Sequence, residues 1–167
     1  MKFYVKQKVF SLKDSFKVFD ENQNPVYQVT GKFFSLKNKM ELQDMSGQTL
    51  YRSDKKVISI LPTYFIYDQT GKQVVSVKKK FAIKPKFDVD IYGEQAKING
   101  SFWQYNFEIE TNRGIAATIR KKIISFGDSY EIDIADDKNL ELLLYLVIVI
   151  DQVLHEDKNN GGNSVND

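Results

Sequence analysis

The chain has 167 residues, no cysteine and a formal net charge of +2, with 42% hydrophobic and 28% charged residues. These values are typical of one soluble globular domain, and the missing cysteines exclude disulfides, thiolate metal sites and cysteine nucleophiles. The charge is uneven: residues 1–125 carry +10 and residues 126–167 carry −8, which favours either a polyanionic partner or mutual neutralisation within the fold. The first residues contain no apolar run long enough for a secretory signal peptide, so we expect a cytoplasmic protein.

A short element repeats along the chain: Lys, two apolar residues, Ser and another apolar residue. It occupies residues 8–12, 32–36, 56–60 and 122–126, and the first three copies start 24 residues apart. A fixed spacing predicts one structural unit used several times. None of the repeated serines has the Gly-x-Ser-x-Gly context of a nucleophile, so we expect each to bond backbone where a strand bends. These serines are Ser11, Ser35, Ser59 and Ser125.

A second element lies between the copies and alternates apolar residues with others before an acid and a glycine. Residues 40–50 and 64–74 fit it fully, and residues 16–26 and 107–117 fit it with substitutions. Alternation with period two indicates strands with one buried face. An acid followed three residues later by Gly is typical of a hairpin turn, because the carboxylate bonds nearby backbone and Gly accepts positive φ.

These patterns predict many short antiparallel strands. Pro62 and Pro85 interrupt them, because proline cannot donate to a strand ladder. The predicted strands are residues 3–10, 15–20, 25–32, 40–44, 48–56, 63–68, 73–80, 87–91, 96–99, 104–110, 114–122 and 129–135. Twelve strands favour a closed barrel, because closure removes exposed strand edges.

The most apolar segment is residues 140–154, in which only Glu141, Asp151 and Gln152 are polar. Its apolar positions cover every side of a helix, so the helix must be buried. We predict a helix from about residue 137 to 156 inside a barrel wider than eight strands, because a helix is ~10 Å across. The β-branched run 147–150 leaves a buried strand as the alternative, and the apolar run is shorter than the ~20 residues that span a membrane.

The domain organisation follows from these elements. Residues 1–157 are predicted to form a single domain. Residues 158–167 are polar apart from Val165, which predicts a disordered C-terminal tail.

Several stretches, taken together and in order, resemble a known family. They are residues 6–12, 24–27, 31–32, 77–81, 84–87, 100–103, 126–134 and 151–155, the most specific being Phe-Gly-Asp-Ser-Tyr-Glu-Ile-Asp-Ile at 126–134. Over nearly all of residues 3–157 the chain resembles the LURP-one-related family, in particular its bacterial members, within the Tubby-like C-terminal fold.

This resemblance implies a twelve-stranded barrel that encloses a hydrophobic C-terminal helix. Through the Tubby and phospholipid scramblase relatives it also implies phosphoinositide or membrane association, although most bacterial members have no established activity. Tubby's lipid-binding residues do not map onto this chain residue by residue, so that function carries over only as an analogy.

Basic residues are the strongest candidates for a binding site. Five positive charges fall within nine residues at Lys78, Lys79, Lys80, Lys84 and Lys86, and further clusters lie at Arg120, Lys121 and Lys122 and at Lys55 and Lys56. If the repeats are equivalent, one rim of the barrel carries Lys8, Lys32, Lys56 and Lys122. Such a rim would attract phosphates; the alternative is that the lysines protect strand edges and aid solubility.

The sequence predicts no catalytic, cofactor or metal site. The one histidine, His155, is expected to favour the dipole at a helix C-terminus rather than to act in a triad. Acids two residues apart share a strand face, but without calcium loops or metal-spaced histidines we expect solvated faces. These pairs are Asp88 with Asp90, Glu108 with Glu110, and Glu131 with Asp133.

One aromatic set bears on nucleic-acid binding. Trp103, Tyr105 and Phe107 occupy alternate positions of one predicted strand. Such residues can stack bases, but their spacing favours a core face, so nucleic acid is not an expected partner.

We therefore predict a monomeric, non-enzymatic and cytoplasmic module that associates peripherally with membranes and binds an anionic phospholipid headgroup. The alternative is a protein-interaction scaffold without a small ligand. An enzyme with a pocket at the barrel mouth and membrane insertion through the helix are weaker hypotheses, because triad and metal spacings are missing and the apolar run is short.

Overall fold

The computed structural model of the chain is a closed antiparallel β-barrel with an α-helix inside it. It describes residues 1–6, 15–31, 39–56, 61, 63–80, 82, 86–124 and 127–161. The strands and the helix in these residues are β1 (Lys2–Lys6), β2 (Ser15–Phe19), β3 (Pro25–Gly31), β4 (Met40–Asp44), β5 (Thr49–Lys56), β6 (Thr63–Tyr67), β7 (Gln73–Lys79), β8 (Phe87–Ile91), β9 (Glu94–Ser101), β10 (Asn106–Thr111), β11 (Gly114–Ile124), β12 (Gly127–Ile134) and α1 (Leu140–Gly161).

The barrel closes where the first strand meets the last. Every strand pairs antiparallel with its neighbours in sequence, and β1 also pairs with β12. Phe3 lies opposite Ile132 at this closure, and Tyr4 lies opposite Phe19 where β1 meets β2. Because the sheet closes on itself, β1 and β12 cover each other's edges, as the barrel prediction required.

The repeated sequence element forms the same hairpin turn at Asp44 and at Asp68. The Oδ1 atom of Asp44 accepts hydrogen bonds from the N–H groups of Ser46 and Gln48 at 2.9 Å and from the Ser46 hydroxyl at 2.6 Å. Asp68 accepts the equivalent three bonds from the residues two and four positions on. These bonds hold the pKa of both carboxyls below the usual range, and the bond from the hydroxyl has the largest effect.

A shift of register precedes each turn at the same place. It falls after Val18, after Leu42 and after Ile66, at intervals of 24 residues. In the turn at Asp20, Gln23 takes the positive φ of 64°, whereas glycine occupies this position in the turns at Asp44 and Asp68. The sequence repeat is therefore a repeat of three-dimensional structure.

The helix α1 crosses the interior of the barrel. From Leu142 to Ile150 no side chain is more than 2% exposed, as expected for a helix that is apolar on all sides. A 3₁₀ turn at Asp137–Asn139 leads into it, and the carboxylate of Asp136 accepts a hydrogen bond from the Lys138 N–H at 3.1 Å. The prediction of a barrel around a buried helix is confirmed, and the alternative of a buried strand is wrong.

One aromatic prediction is wrong because β10 begins later than expected. Phe102–Gln104 form a 3₁₀ turn, and Tyr105 follows it in the left-handed region with φ 48°. The chain makes this tight turn because β9 runs to Ser101 and pairs at once with β10. Trp103 and Tyr105 therefore do not share a strand with Phe107, although Tyr105 and Phe107 are both buried in the core.

The C-terminal boundary also differs from expectation. The helix ends at Gly161, so it includes residues 158–161, which the sequence assigned to the tail. Residues 162–167 lie outside the described residues, and their disorder stays a prediction. Among the helices that the structure describes, none is long and apolar enough to cross a membrane.

The alternation of strand directions gives the barrel two different rims. The odd-numbered strands end at what we call the lysine rim, which holds Lys55, Lys56, Lys78–Lys80, Lys86 and Arg120–Lys122. The even-numbered strands end at the turn rim, which holds the turns after Phe19, Asp44, Tyr67, Ile91 and Thr111. The helix runs from the turn rim to the lysine rim, because Glu141 bonds Tyr27 near the start of β3 and Asp151 bonds Tyr130 near the start of β12.

Candidate functional site

The structure brings together basic clusters that are far apart in sequence. Those of β5, β7 and β11 all lie on the lysine rim, because these strands run in the same direction. Lys80 and Lys86 lie together, since the Lys80 N–H donates to the Lys86 carbonyl at 2.9 Å. The binding role of these residues stays a prediction.

Only two of the four lysines that the repeats place on one shared rim lie in the described part of the chain. Lys56 and Lys122 both lie on the lysine rim. Lys8 and Lys32, together with the site candidate Lys84, lie outside the described residues.

On the outer face of the barrel, basic side chains lie beside carboxylates. The Nζ atom of Lys80 is 2.5 Å from Oδ1 of Asp88, and Lys78 is the cross-strand partner of the same aspartate. Arg120 is likewise the cross-strand partner of Glu131. Part of the basic charge is therefore balanced within the fold.

Glu131 also serves the closure of the barrel. Its side chain is buried, and Oε2 accepts a hydrogen bond from the Tyr4 hydroxyl at 2.8 Å while Oε1 lies 3.7 Å from Nζ of Lys2. Burial, together with this bond, raises the pKa of Tyr4 to about 12. Asp133, the other acid of this pair, lies 3.8 Å from the N-terminal amino group of Met1. These contacts fix β1 against β12.

Acids of the other predicted pairs also make local contacts. Oδ1 of Asp90 accepts a hydrogen bond from the Gly93 N–H at 2.8 Å in the turn after β8. Oε2 of Glu110 accepts one from the Asn99 side chain at 3.1 Å across β9 and β10. Within the part of the chain that is described, no group of three or more His, Asp or Glu side chains is placed to hold a metal ion.

A second set of lysines points toward the barrel axis. The last buried inward residues of β5, β7 and β11 are Ser53, Val77 and Ile119. Because strand side chains alternate between two faces, the residue two positions further on faces the same way. These residues are Lys55, Lys79 and Lys121, called the inward lysines below.

Each inward lysine is paired across the strands with an aromatic residue. The partners of Lys55, Lys79 and Lys121 are, in that order, Tyr64, Phe87 and Tyr130. The Nζ atom of Lys55 is 5.8 Å from the centroid of the Tyr64 ring. A lysine in this position can lay its aliphatic stem on the ring. The sequence patterns did not separate these lysines from their outward neighbours, because the phase of each strand depends on its bulges.

A buried polar cluster lies inside the barrel near the lysine rim. Asp151 and Gln152 on α1 are 4% and 2% exposed. The Tyr130 hydroxyl donates to Oδ2 of Asp151 at 3.3 Å, and the Tyr105 ring stacks on Tyr130 with centroids 5.0 Å apart. Burial, reinforced by the Asp151 carboxylate, raises the pKa of both tyrosines. Because Tyr130 is also the partner of Lys121, the later turns of α1 continue past the inward lysines.

The turn rim holds concavities that sequence reasoning missed. One, of about 420 Å³, is lined by Leu50, Tyr51, Asp68, Gln69, Thr70 and Glu141. The Tyr27 hydroxyl donates to Oε1 of Glu141 at 3.1 Å, and burial raises the pKa of Tyr51 to about 12. The lining comes from β5, the turn after β6 and the start of α1, so no single motif marks it. Its carboxylates make it a poor site for phosphate.

The remaining candidates add no site. The four repeated serines lie outside the described residues. His155 lies within α1, six residues before the helix ends at Gly161, so its interpretation as a cation at the helix C-terminus stays a prediction. The binding candidate with converging charges is therefore the lysine rim.

Comparison with known proteins places the chain in a family. The model of the family described as LURP-one-related matches residues 1–151. The chain belongs to the LURP-one-related family. The chain is also 35% identical to the uncharacterized protein YxjI of Bacillus subtilis (strain 168) over 156 residues, or 93% of this chain and 94% of YxjI.

A solved structure shares the same fold. The X-ray structure of a protein from Arabidopsis thaliana superposes with a TM-score of 0.65, covering 91% of this chain and 90% of that one. The two sequences are 19% identical, so this likeness concerns the architecture alone. It agrees with a closed antiparallel barrel that encloses one C-terminal helix.

Proposed function

We propose that this LURP-one-related chain is a non-enzymatic binding module that attaches peripherally to membranes through anionic phospholipid headgroups. The observation that supports it is the lysine rim, where three separate strands deliver basic residues to one end of the barrel. Lysines near an anionic bilayer contribute roughly 1 kcal/mol each. Three outward lysines, Lys56, Lys78 and Lys122, are exposed there, so together they would strengthen adsorption by about a hundredfold at low salt.

The absence of an enzyme activity and the cytoplasmic location belong to the same proposal. The chain has one histidine and no cysteine, which leaves few groups for acid–base or nucleophilic chemistry near neutral pH. A module that adsorbs to the inner leaflet meets anionic lipid at the cytoplasmic surface.

The proposal is tested by flotation of the full chain with vesicles. One vesicle population is phosphatidylcholine alone and the other is phosphatidylcholine mixed with phosphatidylglycerol. We expect recovery with the mixed vesicles only, and a decrease as salt rises, because surface charges are screened within a Debye length of ~10 Å at 0.1 M. Equal recovery with both populations at low salt would remove the proposal.

A matched pair of variants separates the rim from net charge. The rim variant K56Q/K78Q/K122Q and the control K17Q/K72Q/K97Q each lose three exposed lysines, those of the control lying away from the lysine rim. We expect the rim variant to float about a hundredfold less well and the control to change by only a few-fold. Equal losses would show attraction by net charge alone.

A protein-interaction scaffold is the second candidate, and the turn rim favours it. Tyr92, in the turn after β8, is 54% exposed, and Ile115, the second residue of β11, is 51% exposed. Large exposed apolar side chains at one end of a barrel are typical of protein contacts. A defined partner that binds the chain and is released by Y92S/I115S, with no response to lipid, would support this candidate over the first.

A further inference from the structure

We infer that the cavity of about 420 Å³ at the turn rim, called the turn-rim cavity below, binds a small organic cation in which an ammonium group is joined to an apolar body. The cavity is lined by Leu50, Tyr51, Asp68, Gln69, Thr70 and Glu141. Its volume falls within the range of ~300–1,000 Å³ that is usual for small-molecule sites. The inference goes beyond the proposed function, because the lysine rim lies at the other end of the barrel.

The apolar wall of the turn-rim cavity comes from a β-bulge in β5. Leu42 of β4 lies opposite Tyr51, whereas the next residue of β4 lies opposite Thr49. Leu50 is therefore an extra residue, and because a bulge redirects side chains, it lines the same cavity as its neighbour Tyr51. The Tyr51 ring stacks on Tyr145 of α1 with centroids 6.4 Å apart. An ordered ring beside a leucine suits the apolar part of a ligand, and the face of the ring attracts a cation.

The polar wall holds two carboxylates, each with one oxygen bonded within the fold. Oδ1 of Asp68 accepts all three hydrogen bonds of its turn, from two N–H groups and the Thr70 hydroxyl. Oε1 of Glu141 accepts the bond from the Tyr27 hydroxyl at 3.1 Å. Among the described residues, none donates a hydrogen bond to the second oxygen of either carboxylate. The bonded oxygens hold both groups in place, and the second oxygens can accept bonds from a ligand.

The same two carboxylates give this part of the rim a negative charge. Burial raises the pKa of Tyr51 to about 12, and the charges of Glu141 and Asp68 are among the further causes, so both lie near its hydroxyl. In the part of the chain that is described, no lysine or arginine lies within ion-pair distance of either carboxylate. Lys72 acts on Asp68 from further away and is a minor cause of the lowered pKa of that carboxyl. The turn-rim cavity therefore attracts cations.

The type of cation follows from the number and kind of groups in the two walls. An ammonium group has three N–H donors, so it can bond both carboxylates while the rest of the ligand lies on Tyr51 and Leu50. A calcium ion takes about 6–8 oxygen ligands, and no group of three or more His, Asp or Glu side chains is placed to hold a metal ion in the described ranges. The cavity therefore suits an organic ammonium ion better than a metal ion.

NMR titration of the full chain tests the inference through its backbone amide signals. The probe is 2-phenylethylammonium at pH 7, and the uncharged control ligand is 2-phenylethanol, which differs only in its terminal group. We expect the ammonium ion to shift the signals of residues 68–70 and to bind at least about tenfold more tightly than the alcohol, because hydrogen bonds to a carboxylate from a charged donor are the stronger ones. Equal affinities, or shifts only outside the cavity, would overturn the inference.

A matched pair of variants separates the cavity from net charge. Glu141→Gln removes one negative charge and keeps an oxygen for the Tyr27 hydroxyl, so it should weaken binding of the ammonium ion by about tenfold and leave the alcohol unchanged. The control Asp137→Asn removes one charge four residues earlier, beside a different concavity, and should weaken binding by less than about twofold. Equal losses in the two variants would show attraction by net charge and refute the site. Thermal unfolding checks both variants, and if Glu141→Gln does not fold, the comparison of the two ligands on the unmodified chain decides alone.

Discussion

The hydrogen bond between Ser53 on β5 and Tyr145 on α1 tests the axial position of the helix in the barrel. The two hydroxyl oxygens are 2.8 Å apart, and the residues are 3% and 0% exposed. Removing one partner of a buried hydrogen bond leaves the other unsatisfied, which costs about 1–3 kcal/mol. Replacing both partners by apolar groups is close to neutral. The single variants Y145F and S53A should therefore each destabilise the fold by about 1–3 kcal/mol.

The double variant Y145F/S53A carries the decisive comparison. We expect it to be more stable than the sum of the single effects predicts, by about 0.5–3 kcal/mol. Urea unfolding measures all four proteins, with a constant m-value as the check of two-state behaviour. Strict additivity of the single effects would mean that these side chains do not meet, and the placement of α1 would be refuted.

Three further changes have defined outcomes. Leu144→Ala should destabilise the barrel by about 2–5 kcal/mol, because Leu144 is fully buried, and Leu144→Asp should prevent folding. If the melting temperature of either variant were close to that of the unmodified chain, burial of α1 would be contradicted. The turn contacts lower the folded-state pKa values of Asp44 and Asp68. Both carboxylates therefore add stability above their unfolded pKa of about 3.9, and this stability is lost as pH falls through the folded pKa values. In urea titrations at a series of pH values, D44A and D68A should be less stable than the unmodified chain at pH 7 and equally stable at the acid end. Gly100→Ala should be more destabilising than Gly47→Ala, because the new Cβ would lie 2.4 Å from the Asn106 carbonyl oxygen, whereas nothing lies within 4 Å at Gly47; equal melting temperatures for the two variants would refute that close approach.

Much of the fold could be predicted because its local and global signals agree. The 24-residue repeat, the acid and glycine of each turn and the two-residue alternation all favour hairpins, and the observed turns at Asp44 and Asp68 use the expected atoms. The run from Leu142 to Ile150 is apolar on every side, so it has to be buried, and the barrel encloses it. Here each segment's preference matches its place in the fold.

The site was harder to predict because it depends on strand phase. Lys78 and Lys79 are adjacent in sequence but lie on opposite faces of β7. Their faces are set by register shifts, such as the one between Ile66 and Tyr67, which composition does not reveal. Alternation predicts that Tyr105 lies in a strand, because the pattern alone does not indicate a residue whose backbone is in the left-handed region.

The helix that fills the barrel follows all twelve described strands in the chain. During synthesis on a ribosome, the inward faces of these strands therefore emerge before the segment that covers them. Phe3 must also wait for Ile132 before the sheet can close. Because such long-range pairing is slow, nascent chains expose apolar surface until translation reaches the helix. A chaperone that shields this surface should raise the yield of folded protein, and a helix supplied as a separate peptide should complete a truncated barrel.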